Sequence, residues 1–310
     1  MPNSRARPKC GVFLPLVDLS WEELLARVRL VEGHGFESCW VDDHFWFPGA
    51  PDRAHLEVWT ALTALAMATE RIELGPLVMC HSYRQPGLIA KMAASLAEVS
   101  GARLTLGLGA GYMDDEYRAY GYAVPSGRER LERLEETLEI LRRLWTDERA
   151  TFEGKHHSIR DAPLVPKPER LPVLLGGAGE RFLPLVARYA DVWNCPNPAW
   201  RDLGTKRDQL VAECERIGRD PSAIEVSEQV VVVLGRGDEQ IRRETDRARA
   251  ALGGFARFDG DVHVGSPEQV AEGLRARQAI GVETFIVMFG DWGGPEQIDL
   301  FGSDVLPLLT

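Results

Sequence analysis

Short apolar runs alternate with segments of helical periodicity along almost the whole chain, and this alternation limits the fold more than any other feature. The runs lie at residues 10–17, 36–41, 72–80, 104–108, 173–175, 191–194, 224–234 and 284–289. Between them, apolar residues recur at helical spacing, as in Trp21, Leu24, Leu25, Val28 and Val31, or Leu131, Leu134, Leu138, Leu141 and Leu144. Further helices are predicted over 55–69, 86–99, 198–217 and 238–252, from Pro267 onward, and at the C-terminus to about Leu309. Asp18 or Ser20 can cap the first helix; Ser266 is an N-cap with Pro267 at the first position. Strand–helix alternation implies a parallel sheet, and eight units over 310 residues predict an α/β fold closed as a (β/α)8 TIM barrel. An open doubly wound sheet is the rival.

One stretch interrupts the rhythm. Residues 150–171 change texture, with a Glu153-Gly154 step between extended residues and then Pro163, Pro166 and Pro168. They read as a small hairpin and Pro-rich loop inserted between the fourth and fifth units of a single domain spanning 1–310.

The net charge of −11 argues against a nucleic-acid partner, because a phosphate backbone selects basic surfaces. No apolar run approaches the roughly 18 residues of a membrane span, and the first nine residues do not lead into a signal peptide. Five scattered cysteines form no disulfide framework and no Cys-x-x-Cys, so a reducing cytoplasm is expected.

In a barrel, function collects where strands end at their C-terminal side. That rule brings together 42–45, 78–83, 107–112 and 176–179. Gly107, Gly109 and Gly111 follow the fourth run at every second position. They strip one strand face of side chains, either to admit a flat ring or as a plain strand exit. The Gly-x-Gly-x-x-Gly dinucleotide spacing is absent here. His44, after Asp42 and Asp43, is either a general acid/base or ring donor, or a strand-end histidine bonded to backbone. Gly176, Gly177, Ala178 and Gly179 are expected to join a strand to a helix N-terminus, where backbone N–H groups favour a phosphate that Arg181 can pair with; a tight turn without ligand is the alternative. Pro76 inside the third run marks either a bulge or a strand that begins only at Leu77. Trp46, Phe47, His81, Tyr83 and Trp193 either line an apolar pocket or pack the core. No His-x-His, His-Glu-x-x-His or Gly-x-Ser-x-Gly occurs, so neither a metal site nor a nucleophilic triad is expected.

Taken in order, several segments resemble the luciferase-like flavin and deazaflavin oxidoreductases, the bacterial luciferase superfamily. They are Trp40-Val-Asp-Asp-His-Phe, Arg71-Ile-Glu-Leu-Gly with Val78-Met-Cys, Arg84-Gln-Pro, Leu106-Gly-Leu-Gly-Ala-Gly-Tyr with Glu116-Tyr117, Gly176-Gly-Ala-Gly and Gly265-Ser-Pro-Glu-Gln. The pattern over 106–121 and 128–138 looks most like the branch dependent on coenzyme F420. The resemblance implies a tricyclic ring in the barrel mouth against a bulge at Leu77, Val78 and Met79, with a non-prolyl cis peptide near Leu77-Val78. It implies room beside the ring at Gly107 and Gly109, Asp43 and His44 near its reactive edge, and a phosphate on Gly176 to Gly179. The expected activity is hydride transfer between a small organic substrate and the deazaflavin, with His44 catalytic. An FMN-dependent monooxygenase using reduced flavin and oxygen, or a non-catalytic flavin- or deazaflavin-binding protein, are the alternatives. A separate reductase that recycles the cofactor and a homodimer are further implied partners. Where sugar-phosphate dehydrogenases of that branch place a glutamate after the Gly-x-Gly, this chain has Tyr112, which argues against a sugar-phosphate substrate.

Overall fold

A computed structural model describes residues 7–196, 202–253, 256, 258 and 262–309. The elements run β1 (Lys9–Phe13), α1 (Trp21–Gly33), β2 (Ser38–Val41), α2 (Val58–Ala68), β3 (Glu73–Pro76), β4 (Met79–Cys80), α3 (Pro86–Val99) and β5 (Leu106–Gly109). They continue through α4 (Asp114–Ala119), α5 (Gly127–Thr146), β6 (Ala150–Glu153), β7 (Ser158–Ala162), β8 (Val173–Gly176), α6 (Leu183–Tyr189), β9 (Val192–Cys195) and α7 (Leu203–Ile217). The last are β10 (Glu225–Leu234), α8 (Asp238–Leu252), β11 (Val262–Gly265), α9 (Pro267–Ala279), β12 (Thr284–Phe289) and α10 (Pro295–Leu300).

The main sheet follows the order β3-β2-β1-β12-β10-β9-β8-β5-β4, all parallel. β3 and β4 are two pieces of one stave, so the ends of this path meet and the sheet closes as the expected eight-stave barrel. Strand β10 shows why the sequence chooses this form. Its consecutive valines alternate in direction, as strand geometry requires. Val231 joins Phe13, Trp40, Leu174, Ile286 and Met288 in one buried cluster, while Val230 and Val232 join the helix-facing one. The amphipathic helices cover that outer surface; α5 buries Leu134, Leu138, Leu141 and Leu144. Truncating any of these leucines to alanine removes roughly 2–5 kcal/mol of stability.

The helix signals act as read. Ser20 and Ser266 each close a capping box, and Pro267 begins α9. The hairpin β6–β7 forms its own antiparallel pair between the fourth and fifth units. Two features differ from the sequence reading, and part of a third lies outside the described residues. The third stave breaks at Leu77-Val78, where the resemblance implied the non-prolyl cis peptide, while Gly75-Pro76 stays within β3, so the strand neither breaks there nor begins only at Leu77. Strand β11 was not expected; it takes the edge of β10 beyond the end of β9, over Val231 to Leu234. Helix α7 is described from Leu203, and residues 198–201 of the expected span lie outside the described residues. No described helix is long and apolar enough to cross a membrane.

Candidate active site

The C-terminal ends of the staves surround a cavity of about 660 Å3, within the usual range for small-molecule sites. Its floor is the broken third stave. Leu77 is fixed by its N–H to the Val41 carbonyl at 2.7 Å, and Leu77, Val78 and Met79 all line the cavity.

The neighbouring glycines exist because of this floor. A Cβ on Gly107 would fall 1.9 Å from the Pro76 carbonyl oxygen; one on Gly109 or Gly176 would meet the Val78 side chain at 2.5 or 2.8 Å. The bare strand face is thus filled by the bulge and by Val78, and not left open. Gly109 and Gly176 line the cavity; Gly107 lies beneath it.

One wall descends from the end of β2, where three residues take three tasks. Asp42 accepts from the Leu16 N–H at 2.8 Å and pairs with His55 at 2.8 Å. Asp43 accepts from the Cys80 N–H at 3.0 Å and holds Arg84 in a two-point contact at 2.8 and 3.0 Å. Arg84 also reaches Glu57. Asp43 therefore ties the ends of β2 and β4 to the start of α3. His44 alone turns its ring between partners: Nδ1 lies 3.0 Å from Glu116, and Nε2 lies 3.3 Å from the Tyr112 hydroxyl.

Glu116, in α4, is fully buried. It also accepts from the Tyr83 hydroxyl at 2.7 Å and the Phe45 N–H at 2.6 Å. Burial without these partners would cost several kcal/mol. Tyr83 belongs to a cluster of rings in which Phe45, Tyr117 and Tyr122 pack on it and Tyr120 stacks on Phe45. Burial pulls the His44 pKa down, but the Glu116 hydrogen bond and the Asp42, Glu116 and Asp43 charges outweigh it and hold the imidazole above its ordinary value. Burial raises the Glu116 carboxyl, and His44, Tyr83 and the Phe45 N–H together bring it below the usual carboxylate range. Sequence reading missed Glu116 as a site group, since 72 residues separate it from His44.

The opposite wall is the loop Gly176 to Gly179. All four residues face the cavity. The Gly177 N–H donates to the Asn194 carbonyl at 3.1 Å, and Trp193 Nε1 donates to the Gly177 carbonyl at 2.7 Å. Helix α6 starts only at Leu183, after a turn, so the glycine loop does not form its N-terminus as expected. Arg181 is exposed and does not line the cavity. Of the aromatic candidates, Phe47 and Tyr83 face the cavity. Trp193 and His81 are buried elsewhere, His81 with its pKa pushed down to about 3 by burial and by the nearby His157. Trp46 stacks on Tyr120.

The sequence model of the luciferase-like monooxygenase family matches residues 9–263. The chain belongs to that family. Among its relatives, the 5,10-methylenetetrahydromethanopterin reductase of Archaeoglobus fulgidus is 28% identical over 96% of this chain and 86% of its own length. An F420-dependent glucose-6-phosphate dehydrogenase of Intrasporangium calvum is 36% identical, over 61% of this chain and 57% of its own. Two solved structures share the fold: an F420-dependent secondary alcohol dehydrogenase in complex with an F420-acetone adduct (TM-score 0.85, 20% identity, 98% of this chain and all of the other), and the EDTA monooxygenase of Chelativorans (TM-score 0.84, 16%, covering 98% and 93%). F420-dependent proteins thus stand among the relatives and fold neighbours of this chain, and a monooxygenase among its fold neighbours.

Proposed function

We propose that the protein is an oxidoreductase that moves hydride between a small organic substrate and a deazaflavin of the coenzyme F420 type held in the barrel mouth. The observation that carries this reading is the protonatable pair His44–Glu116 standing on the wall of a cavity whose floor is the bulge at Leu77, Val78 and Met79. The residues present fit a tricyclic ring. Val78 offers a smooth support that neither Gly109 nor Gly176 obstructs, and the backbone of Ala178 and Gly179 faces the cavity where an anionic tail would lie. When bound, the deazaflavin supplies the hydride chemistry.

The protein's own residues supply the rest. Leu77, Val78 and Met79 position the ring, the Trp193–Gly177 bond fixes the opposite loop, and Asp43 with Arg84 locks the wall that carries His44. His44 stores a proton for the one that must follow the hydride, and the Glu116 hydrogen bond strengthens its hold on it. The relatives whose names include F420 support the deazaflavin over FMN. A separate reductase would then recycle the cofactor, and the five free, buried cysteines fit a reducing cytoplasm.

Paired calorimetric titrations with coenzyme F420 and with FMN test this reading. Micromolar or tighter binding of the deazaflavin with weak FMN binding is expected. The reverse preference would make the protein an oxygen-dependent flavin monooxygenase, and binding of neither would overturn the cofactor site.

A further inference from the structure

The Glu116–His44 pair does not end at the imidazole. The Tyr112 hydroxyl lies against Nε2 of His44 at 3.3 Å, with the two rings edge to face at 5.6 Å and 83°. Tyr112 faces the cavity, yet 63% of it is open to solvent. All three residues of the chain border the cavity, but Tyr112 stands nearest solvent, ahead of His44, whose side chain is 16% exposed, and of the buried Glu116. Gly111 sets this direction. Its φ is +77°, and a Cβ there would fall 2.5 Å from the Tyr117 hydroxyl and 2.7 Å from Cys80 Sγ. The loop can seat on Cys80 and Tyr117 only with glycine, and the next residue is then presented to the cavity. Burial, with the Glu116 and Asp42 charges, pushes the Tyr112 hydroxyl up to about 12, so it remains a donor through neutral pH.

We propose that Tyr112 is the catalytic residue that meets the substrate oxygen, and that the substrate is accordingly an alcohol–carbonyl pair. Glu116 and His44 then form the chain that resupplies its proton. The proposal rests on the deazaflavin reading, because the hydride must come from a bound cofactor. In the reducing direction the carbonyl carbon gains hydride from the reduced deazaflavin, which is oxidised by two electrons. The C=O π pair moves onto oxygen, oxygen takes the Tyr112 proton, and Tyr112 takes the Nε2 proton of His44. His44 ends neutral, its Nδ1–H still directed at Glu116. Alcohol oxidation runs each transfer in reverse. The other titratable groups packed around this chain are engaged: Asp42 with His55, Asp43 with Arg84, Tyr83 with Glu116, and Cys80 with Tyr117. Arg130 lies over the Tyr117 ring.

The test compares wild type with Tyr112→Phe, a change at an exposed residue that leaves the core intact. The probes are 2-butanone and cyclohexanone with reduced deazaflavin, and the matching alcohols with the oxidised form. Loss of about 10²-fold or more in kcat is expected, with deazaflavin Kd unchanged and the fall much smaller in KM than in kcat. In the cofactor-free protein, the His44 Nε2 resonance should move in Tyr112→Phe. Equal turnover by both proteins would overturn the proposal while leaving the deazaflavin reading standing. So would deazaflavin binding with no ketone or alcohol turned over, which would mean a reacting carbon without oxygen. Failure of the deazaflavin to bind would strike the functional reading and the hydride step with it. An Nε2 resonance that stays in place would break the proton chain whatever the cofactor.

Discussion

Glu228 and Glu116 are both buried in this barrel beside a basic side chain, and they differ in what that partner can do. Glu228, near the start of β10, is 1% exposed and meets Arg277 of α9 at 3.0 Å. Glu116, at the opposite end of the barrel, is equally buried and meets His44 at 3.0 Å. A guanidinium keeps its proton at any pH a protein experiences, so the first pair can only hold two elements together. An imidazole titrates near neutrality, so the second can hold or release a proton beside a cavity. In barrels of this kind the strands' C-terminal face carries chemistry and the N-terminal face carries stability. The same motif of buried charge has been given a fixed partner at one end and a titratable one at the other.

This contrast can be broken by substitution. His44→Ala should lower kcat by roughly 10²–10⁴-fold while deazaflavin affinity stays near the wild-type value; equal losses in both would place His44 in binding alone. Arg277→Met leaves Glu228 buried and unpaired, and denaturant unfolding should show a loss of about 3–5 kcal/mol with kcat per folded molecule unchanged. A drop in kcat there would erase the distinction between the two ends. Gly107→Ala lies between them: its Cβ would meet backbone at the Pro76 carbonyl, so about 1–3 kcal/mol of stability should be lost, with weaker deazaflavin binding if the third stave shifts. Unchanged stability and affinity would show that this floor is not tightly fitted.

Much of the fold was legible because it depends on local pattern. Val230 to Val233, the Ser266-Pro267 start and the Glu153-Gly154 turn each carry their reason within a few residues. The site was legible only as its individual strand ends. His44, Gly109 and Gly176 were singled out, but Glu116 gives no local sign of its role, since an acidic residue in the first turn of a helix is ordinary. Only folding brings it to His44. The glycines were noticed for the right peculiarity and read with the wrong neighbour, because the Val78 side chain that fills their space comes from another stave. β11 escaped notice because Val262 to Gly265, with a histidine and a glycine among its four residues, is not an apolar run.

The proton-holding role of His44 is tested most directly by the pH profile of single-turnover substrate reduction in wild type and Glu116→Gln. Glu116 raises the His44 pKa above its ordinary 6.5, so reduction should fall as pH rises through that raised value. The pair's contribution to folding stability should be lost over the same limb, and again as pH falls through the lowered pKa of Glu116. Removing the Glu116 charge should carry the basic limb to lower pH, with a modest change in the plateau rate. A limb that stays in place in Glu116→Gln would contradict the account, because the proton would then be held somewhere other than His44.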